Sequence, residues 1–247
     1  MRAEEDLYVE TDYKILYEDA CFLVVDKPAP LPVHAVGRFK EKNLLSLLIR
    51  DLRPGSEGFR IVNRLDSETS GLVLVAKSAQ AAGKLGILFE SRQVAKEYHA
   101  VVFGVPEAQE VTISIALGNE VKNGHHVRVP DPGGEVAETR YQVLSSAGEY
   151  SLLKVMPRTG RTHQIRAHLS FLGHPIVGDK IYIDPRIFER YIHEGWLEEM
   201  RPVVKAERLL LHASRLEFRH PVTGELVKFT SEIPPCFDSF LNEVKRT

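Results

Sequence analysis

The sequence predicts an α+β fold built on a predominantly antiparallel, mixed sheet flanked by helices. Short β-rich runs separated by turn residues occur along the chain, and helical patterns lie between them without the regular βαβ alternation of a parallel sheet. The 247 residues, 43% of them hydrophobic, are enough to bury a substantial core. We therefore expect one main domain over residues 15–247, preceded by an N-terminal extension over residues 1–14.

The first part of the chain carries two helix patterns after an early strand. Residues 22–25 form an apolar run that predicts the strand. Asn43 precedes leucines at helical spacing, and residues 53–55 (Arg-Pro-Gly) are expected to end that helix. Ser78 is a suitable N-cap for a second helix, which runs to about Glu90.

The middle of the chain has mostly strand character. Residues 98–103 predict a strand, and alternating apolar residues from 111 to 117 predict another. An irregular loop is expected after it, through the proline and glycine residues at 130–134. The runs at 139–144 and 150–155 again predict strands, which favours an antiparallel arrangement.

The last third combines helices with a closing hairpin. Residues 162–172 carry apolar side chains at i, i+4 and i+7, so they predict a helix that Gly173 ends. Residues 185–200 predict a helical insertion that packs on the domain surface. The runs at 216–218 and 226–229 flank a turn and predict a hairpin.

The Arg-Leu-Asp sequence at residues 64–66 is the first candidate for a reactive site. The apolar runs at 61–62 and 72–76 are typical of buried strands, and residues 69–71 (Thr-Ser-Gly) supply turn chemistry and room for close backbone approach. Asp66 is therefore expected on a tight connection backed by rigid strands. A single turn aspartate more often caps a helix or closes an Asx-turn, so a second motif is needed.

The second motif lies at residues 158–169, where three arginines and two histidines surround a glycine turn. Together with a Lys-x-Tyr at 96–98, the two motifs resemble the RluA family of pseudouridine synthases. The resemblance extends from residues 15–28 to residues 211–213 and 220–225, so it covers nearly the whole chain in the family's order. It implies the pseudouridine synthase fold, with a central RNA-binding cleft, and conversion of uridine to pseudouridine in ribosomal RNA, transfer RNA or both.

The resemblance assigns roles to individual residues. Asp66 corresponds to the catalytic aspartate, and two routes are compatible with it: attack on C1′ of the ribose, or removal of a sugar proton to give a glycal. Arg166 corresponds to the arginine that favours the ionised aspartate. Tyr98 corresponds to the tyrosine that stacks on uracil and assists proton removal from C5. Arg64 corresponds to the arginine that fills the space left by the flipped base. Further RNA contacts are expected from Arg158, Arg161, His163, Gln164 and Ile165.

One position departs from the family pattern. Asn63 stands where a histidine commonly precedes Arg-Leu-Asp, so we expect the local contact of that side chain to be rearranged. Two other functions are compatible with an aspartate at this turn. A hydrolase would need a paired acid or a metal, and Glu68 is the adjacent acidic residue. A non-catalytic RNA-binding protein would bind RNA without forming product.

No cofactor or metal is expected. The sequence carries no glycine-rich phosphate loop or dinucleotide fingerprint. His163, His168, His174 and Asp179 are close in sequence, but their spacing matches no standard zinc motif, so hydrogen bonds or phosphate contacts are the better interpretation of the histidines.

The charge is distributed unevenly. The chain has 32 Lys+Arg against 34 Asp+Glu, a net charge of -2 that is unlike a generic nucleic-acid binder. Acidic residues concentrate near the start, including Glu4, Glu5 and Asp6, and again within residues 189–199, whereas Lys154, Arg158, Arg161 and Arg166 form a basic group. This polarity predicts one cleft that attracts RNA phosphates while the remaining surface repels RNA.

The sequence also suggests where the protein works. No apolar run approaches membrane-spanning length, and Cys21 and Cys236 are far apart, which favours a reduced cytoplasmic protein without membrane contact. We expect a monomer with RNA as its partner. No S4-type RNA-binding module is recognisable before Ile15, so substrate choice is expected to reside in the catalytic domain itself.

Overall fold

The computed structural model describes residues 8–36, 39–52, 58–122 and 125–246. Its strands are β1 Lys14–Glu18, β2 Phe22–Lys27, β3 Arg60–Ile61, β4 Ser70–Ala76, β5 Ala95–Phe103, β6 Glu110–Ser114, β7 Leu117–Lys122, β8 His125–Pro130, β9 Glu138–Ala147, β10 Tyr150–Pro157, β11 Leu211–Arg219 and β12 Leu226–Thr230. Its helices are α1 Leu44–Leu52, α2 Ala79–Glu90, α3 Gln164–Phe171, α4 Lys180–Ile183, α5 Pro185–Glu194, α6 Arg201–Val204 and α7 Pro235–Val244, with a short 3₁₀ helix at Glu198–Met200.

The chain divides into two compact units. The first consists of Met1–Lys96 and Ala213–Ser231, and the second of Glu97–His212 and Glu232–Thr247. Each unit combines helices with antiparallel strand pairs, in agreement with the predicted α+β class. The division into an extension over residues 1–14 and one domain over residues 15–247 stays a prediction.

The sheet of the first unit follows the order β1-β2-β4-β11, with β3 added to β4 and β12 added to β11. The pairs β1–β2, β2–β4, β3–β4 and β11–β12 are antiparallel. β2 and β4 are buried almost throughout, which is why both read as continuous apolar runs rather than alternating ones. The predicted early strand, the strands on either side of Asp66 and the closing hairpin are therefore confirmed.

Helix α2 covers this sheet and begins as predicted. The Ser78 hydroxyl accepts a hydrogen bond from the Ala81 amide and so satisfies one of the free donors at the helix start. Ala81 and Leu85 are buried in a core that also contains Phe22 and Phe218. The helix that follows Asn43 is confirmed as α1, and its predicted end at residues 53–55 lies outside the described residues, as do Glu4, Glu5 and Asp6.

The sheet of the second unit follows the order β5-β10-β9-β6 and is covered on both faces. Successive side chains of a strand point to opposite faces. Val102 of β5 accordingly lies in a core with Ile165 and Leu169 of α3, whereas Val101 lies in a second core with Phe237 of α7. The predicted strands in β5, β9 and β10 are confirmed, and β1, α4 and α7 were not predicted.

The segment from 118 to 130 is not the irregular loop that the sequence predicted. It forms most of a separate two-stranded hairpin, in which β7 pairs antiparallel with β8. The alternating run at 111–117 is also divided, because β6 ends at Ser114 and β7 begins at Leu117. Contacts distant in sequence support the hairpin: the Tyr182 hydroxyl accepts a hydrogen bond from the Arg128 amide, and Leu117 and Glu135 exchange backbone hydrogen bonds. The spacing of apolar residues within a short segment, on which the loop prediction was based, does not reveal such long-range contacts.

Two helical predictions are confirmed with altered bounds. α3 begins at Gln164 rather than 162, because His163 adopts a left-handed backbone conformation with φ of 51°. The insertion at 185–200 contains α5 and the 3₁₀ helix, and its apolar residues Ile187 and Met200 pack together with Val204. Among the four described ranges, none of the helices combines the length and the apolar character needed to cross a membrane.

Gly71 confirms the predicted close approach of the backbone near the Asp66 turn. Its φ is +107°, a value that L-residues with side chains rarely adopt. A Cβ atom at this position would also overlap the backbone of Ala213, the first β11 residue of this unit. β4 and β11 can therefore lie side by side here only because residue 71 has no side chain.

We expect Gly71→Ala to lower the free energy of unfolding by about 3 kcal/mol or more, since it combines backbone strain with overlap against a backbone that cannot move away. Gly83→Ala is the matched control, because a Cβ at this exposed α2 position meets nothing within 4 Å. That change is expected to stabilise the protein by about 0.5–1 kcal/mol. Urea denaturation measures both; equal effects of the two substitutions would contradict the packing argument.

Candidate active site

In the first unit, Asp66 lies on the connection between β3 and β4, as the sequence predicted. The Thr69 amide donates to the Asp66 carbonyl oxygen at 3.1 Å and closes the turn. Arg64 is exposed, Leu65 is buried and Asp66 is half-buried. The predicted base-flipping arginine and the predicted catalytic aspartate thus flank a residue that anchors the turn in the protein.

The ammonium group of Lys27 supports this turn from within the first unit. Lys27 is fully buried, and its Nζ donates to the carbonyl oxygens of Pro28, Leu31 and Ser67 at 2.9, 2.8 and 3.1 Å. The Ser67 carbonyl also accepts from the Leu31 amide at 2.9 Å. A buried charge is tolerated when its hydrogen bonds are satisfied, so the backbone that follows Asp66 is fixed by a strong, charge-assisted contact.

Asn63 acts as an extension of the β3–β4 ladder. Its side-chain nitrogen donates to the Leu72 carbonyl at 3.2 Å, and its oxygen accepts from the Leu74 amide at 2.7 Å. The residue is buried, so both bonds are shielded from water. The family's usual histidine is replaced by an amide that pairs with the neighbouring strand like a backbone peptide, and this holds the chain immediately before Arg64.

In the second unit, the segment at 158–164 is a hydrogen-bonded turn organised by Gln164. Its Oε1 accepts from the Thr159 hydroxyl at 2.6 Å and from the Arg161 amide at 3.0 Å. Its Nε2 donates to the Glu138 carbonyl and to the Thr139 hydroxyl, both at 2.9 Å. The side-chain amide therefore ties the turn to the start of β9.

The Thr139 hydroxyl continues this network into α3. Nε2 of His168 lies 2.9 Å from the Ile115 carbonyl, which can only accept, so this nitrogen carries the ring proton and donates. Nδ1 of the neutral ring therefore accepts from the Thr139 hydroxyl, 2.9 Å away, which itself accepts from Gln164. Burial lowers the pKa of His168, in keeping with this neutral form. Hydrogen bonds, one of the roles predicted for the histidines, are confirmed for His168.

The two arginines of the turn pair with glutamates. Nη1 of Arg158 lies 3.4 Å from Glu138, and Nη1 of Arg161 lies 3.0 Å from Glu135. Both arginine side chains remain substantially exposed. Surface ion pairs of this kind contribute only about 0–1 kcal/mol to stability.

Arg166 is held by a partner that the sequence analysis did not identify. Its Nε and Nη2 donate to the two carboxylate oxygens of Asp179 at 2.7 and 2.8 Å, and both residues are buried. A bidentate carboxylate of this kind fixes the plane of the guanidinium. From the sequence, Asp179 was considered only as a metal ligand, and at 13 residues from Arg166 no helical spacing rule connects the two. The pairing of Arg166 with Asp66 stays a prediction.

The other predicted residues occupy different positions in the second unit. Tyr98 lies on β5 opposite Val155 of β10, half-buried against the core. Ile165 is buried in that same core, and His163 lies 3.4 Å from the Tyr182 hydroxyl through its Nδ1. Their roles in binding RNA or in catalysis stay predictions.

One cluster in the described residues has the composition of a metal site: Asp19, Cys21 and His220, whose candidate ligand atoms lie within 4.8 Å of one another. Nδ1 of His220 accepts hydrogen bonds from the Val222 and Thr223 amides, so its Nε2 carries the proton and donates to Asp19 at 2.7 Å.

Neither ring nitrogen of His220 therefore offers a lone pair to a metal. Burial alone would raise the pKa of Asp19, but hydrogen bonds from the Phe22 amide, His220 and the Cys21 amide hold this pKa below its usual value. The cluster is a hydrogen-bonded junction between the β1–β2 turn and the β11–β12 hairpin.

Comparison with known proteins decides the family. The model of the family described as RNA pseudouridylate synthase matches residues 21–171. The chain belongs to this family. An uncharacterized RNA pseudouridine synthase of Chlorobaculum parvum is 38% identical over 94% of the chain and 74% of the relative's length. The ribosomal large subunit pseudouridine synthase C of Vibrio cholerae is 34% identical over 96% of the chain and 71% of that relative.

A solved structure confirms the fold of this RNA pseudouridine synthase. Human RNA pseudouridylate synthase domain containing 4 is similar with a TM-score of 0.72 and 28% identity, over 94% of this chain and 92% of the human one. The predicted α+β pseudouridine synthase fold is therefore confirmed, and so is the predicted activity, isomerisation of uridine in RNA to pseudouridine. The predicted RNA-binding cleft stays a prediction.

We expect Lys27→Met to lower the free energy of unfolding of this pseudouridine synthase by about 2–4 kcal/mol, because three carbonyl oxygens lose their charged donor. Turnover should fall as well, since the backbone beside Asp66 loses its support. The matched control is Lys84→Met on the exposed side of α2, which should change stability by less than about 0.5 kcal/mol. Urea denaturation separates the two; equal stability of both variants would show that the Lys27 contacts contribute nothing.

Proposed function

We propose that this chain isomerises uridines in large-subunit ribosomal RNA, with Asp66 as the catalytic residue. The observation that carries the substrate assignment is the similarity over 96% of the chain to a relative named as a ribosomal large subunit pseudouridine synthase. Ribosomal RNA offers structured loops in which a uridine can be recognised by shape and flipped out of its stack.

The reaction needs one carboxylate. In pseudouridine formation the uracil that leaves C1′ is also the group that returns through C5, so no second acid is required to activate water, as it is in most glycosidases. Asp66 meets this need, because it lies on a closed turn supported by Lys27 through Ser67. The two chemical routes named above, attack on C1′ and removal of a sugar proton, both require the ionised carboxylate.

Three further residues complete the proposed site. Arg166 stabilises the ionised form of Asp66, and Tyr98 stacks on the target base and assists loss of the C5 proton. Arg64 is exposed and lies two residues before Asp66 in the sequence; it fills the space left by the flipped uridine. Two residues before Tyr98 in the sequence, burial lowers the pKa of Lys96 to about 8.

The proposed RNA-binding surface is formed by the turn at 158–164. Arg158 and Arg161 exchange their glutamate partners for RNA phosphates, while Gln164 keeps the turn in shape. His163 adds a polar contact, and Ile165 anchors the turn in the core. We also propose that the protein acts in the cytoplasm as a monomer and without membrane contact.

We expect Asp66→Asn to keep the fold and RNA affinity but to lower turnover by a factor of about 10³ or more, because the amide cannot supply the charged oxygen. The measurement is tritium release from 5-³H-uridine in ribosomal RNA and, separately, in transfer RNA, each isolated from cells that lack the gene.

Glu68→Gln is the matched control, because it neutralises the other acidic residue of the same turn. Its turnover should equal that of the wild type if Asp66 is the only carboxylate that reacts. Retained turnover in Asp66→Asn would refute the catalytic role. Release from transfer RNA alone would refute the substrate assignment. The role of Asp66 would then be tested by comparing wild type and Asp66→Asn on transfer RNA.

We expect Arg158→Glu and Arg161→Glu each to weaken RNA binding and to reduce the slope of log affinity against log salt concentration by about 1, as for loss of one phosphate contact. Arg201→Glu is the control, because Arg201 is a half-exposed arginine that is also paired with a glutamate, Glu198. Filter binding from low to high salt measures the slopes. If all three variants keep the wild-type slope, the proposed surface is wrong.

A further inference from the structure

Helix α4 surrounds the proposed active-site arginine with two contacts of different kinds. Asp179, the N-cap of this helix, binds the Arg166 guanidinium through both carboxylate oxygens. Tyr182, three residues later, places its ring centre 5.2 Å from the central carbon of the same guanidinium. Ring faces attract cations at this distance. Asp179 therefore binds two nitrogens of the Arg166 guanidinium, and the Tyr182 ring faces its central carbon.

The carboxylate of Asp179 is itself fixed to the backbone. Its Oδ1 accepts from the amides of Ile181 and Tyr182 at 3.1 and 3.0 Å, in addition to the bond from Arg166. Oδ2 accepts from Nε of Arg166. Two main-chain amides therefore fix Oδ1 of Asp179, and the carboxylate held in this way orients the guanidinium.

The Tyr182 hydroxyl extends the arrangement to the β7–β8 hairpin. It accepts from the Arg128 amide at 3.0 Å and donates to the Arg128 carbonyl at 3.2 Å, so it binds both backbone groups of one β8 residue. Its oxygen also lies 3.4 Å from Nδ1 of His163, and the His163 and Tyr182 rings pack edge to face with centres 5.8 Å apart. One side chain thus contacts Arg166, the turn before α3 and the hairpin.

Stability alone is a poor explanation for the Arg166–Asp179 pair. Removing two charges from water is costly, and a buried ion pair is often no more stabilising than apolar residues of the same size. A pair that fixes the direction of one guanidinium is better explained by a need for that direction. Small displacements of a catalytic group lower rates by large factors.

We propose that Asp179 and Tyr182 are positioning residues of the pseudouridine synthase reaction and that both act through Arg166. Asp179 sets the orientation of the guanidinium, and Tyr182 links that orientation to the seating of the β7–β8 hairpin. This inference rests on the proposed role of Arg166. It assigns no contact with substrate to either residue.

Lys180 provides a matched control on the same helix. It is as deeply buried as Asp179, and its Nζ donates to the Glu207 carbonyl at 2.6 Å and lies 4.4 Å from the centre of the Tyr191 ring. Lys180→Met therefore disturbs the anchoring of α4 while the contacts of Asp179 and Tyr182 with Arg166 are kept. It separates loss of helix stability from loss of arginine orientation.

The test measures RNA affinity, melting temperature and the single-turnover rate constant of tritium release for the full chain and its variants. We expect Asp179→Asn to lower the rate constant by about 10–100-fold and Tyr182→Phe by about 3–10-fold, with RNA affinity within about 3-fold of wild type. Lys180→Met should lower the melting temperature but change the rate constant by less than about 2-fold. Rate losses that follow the melting temperature across all three variants would overturn the proposal.

A double-mutant cycle provides the second readout. In an Arg166→Lys background, which keeps the charge but not the bidentate fork, Asp179→Asn and Tyr182→Phe should each change the rate constant by less than about 3-fold if they act through Arg166. Full, additive losses would overturn the proposal. If Asp179→Asn does not fold, Tyr182→Phe, which keeps the ring and removes one oxygen, decides it alone.

The outcome is independent of which RNA is modified. The cycle is measured on whichever RNA pool releases tritium with the wild-type protein. Release from transfer RNA alone would refute the proposed ribosomal substrate while still permitting the comparison of variants. A normal rate in Arg166→Lys would refute the role of Arg166, and with it this inference, while Asp66→Asn continues to test the catalytic aspartate separately.

Discussion

Three backbone carbonyls converge on the buried ammonium of Lys27, which needs acceptors because it is shielded from water. One of them belongs to Ser67, the residue after the proposed catalytic aspartate. A turn of this kind has few internal hydrogen bonds of its own, so its shape depends on hydrogen bonds with neighbouring residues such as Lys27 and Leu31. Gly71 and Asn63 complete the support: the glycine lets β11 approach, and the amide joins the turn to β4. The shape of the turn that carries Asp66 therefore depends on residues buried within the first unit.

The second unit uses the same strategy with different chemistry. Side-chain amide and hydroxyl groups of Gln164, Thr159 and Thr139 make the hydrogen bonds that a regular element would make with its backbone. Arg166 follows this segment in the first turn of helix α3, where its side chain binds Asp179. Since Gln164 uses both its oxygen and its nitrogen within the protein, its place in the family motif is explained by the shape of the turn that presents Arg158 and Arg161.

Much of this was predictable because the relevant patterns are local. The apolar runs around residues 64–71 predicted the strand–turn–strand unit, and Ser78 predicted the start of α2. The β7–β8 hairpin was missed because its support comes from Tyr182, more than one element away along the chain. The partner of Arg166 was missed for a related reason: Asp179 follows it by 13 residues, beyond the reach of helical spacing rules. Contacts set by tertiary structure leave no periodic trace in a sequence.

The junction between Asp19 and His220 has a consequence for biosynthesis. These residues are separated by 201 positions, yet their side chains share one hydrogen bond within the first unit. On the ribosome, β2 and β4 emerge early, while β11 and β12 arrive only after most of the second unit, from Glu97 onward, has been translated. β2 can pair with β1 and β4 at once, but the other edge of β4 has to wait for β11. Such delayed long-range pairing slows folding and leaves apolar surface and an unpaired strand edge exposed in the meantime, so we expect the first unit to complete its sheet only late in synthesis.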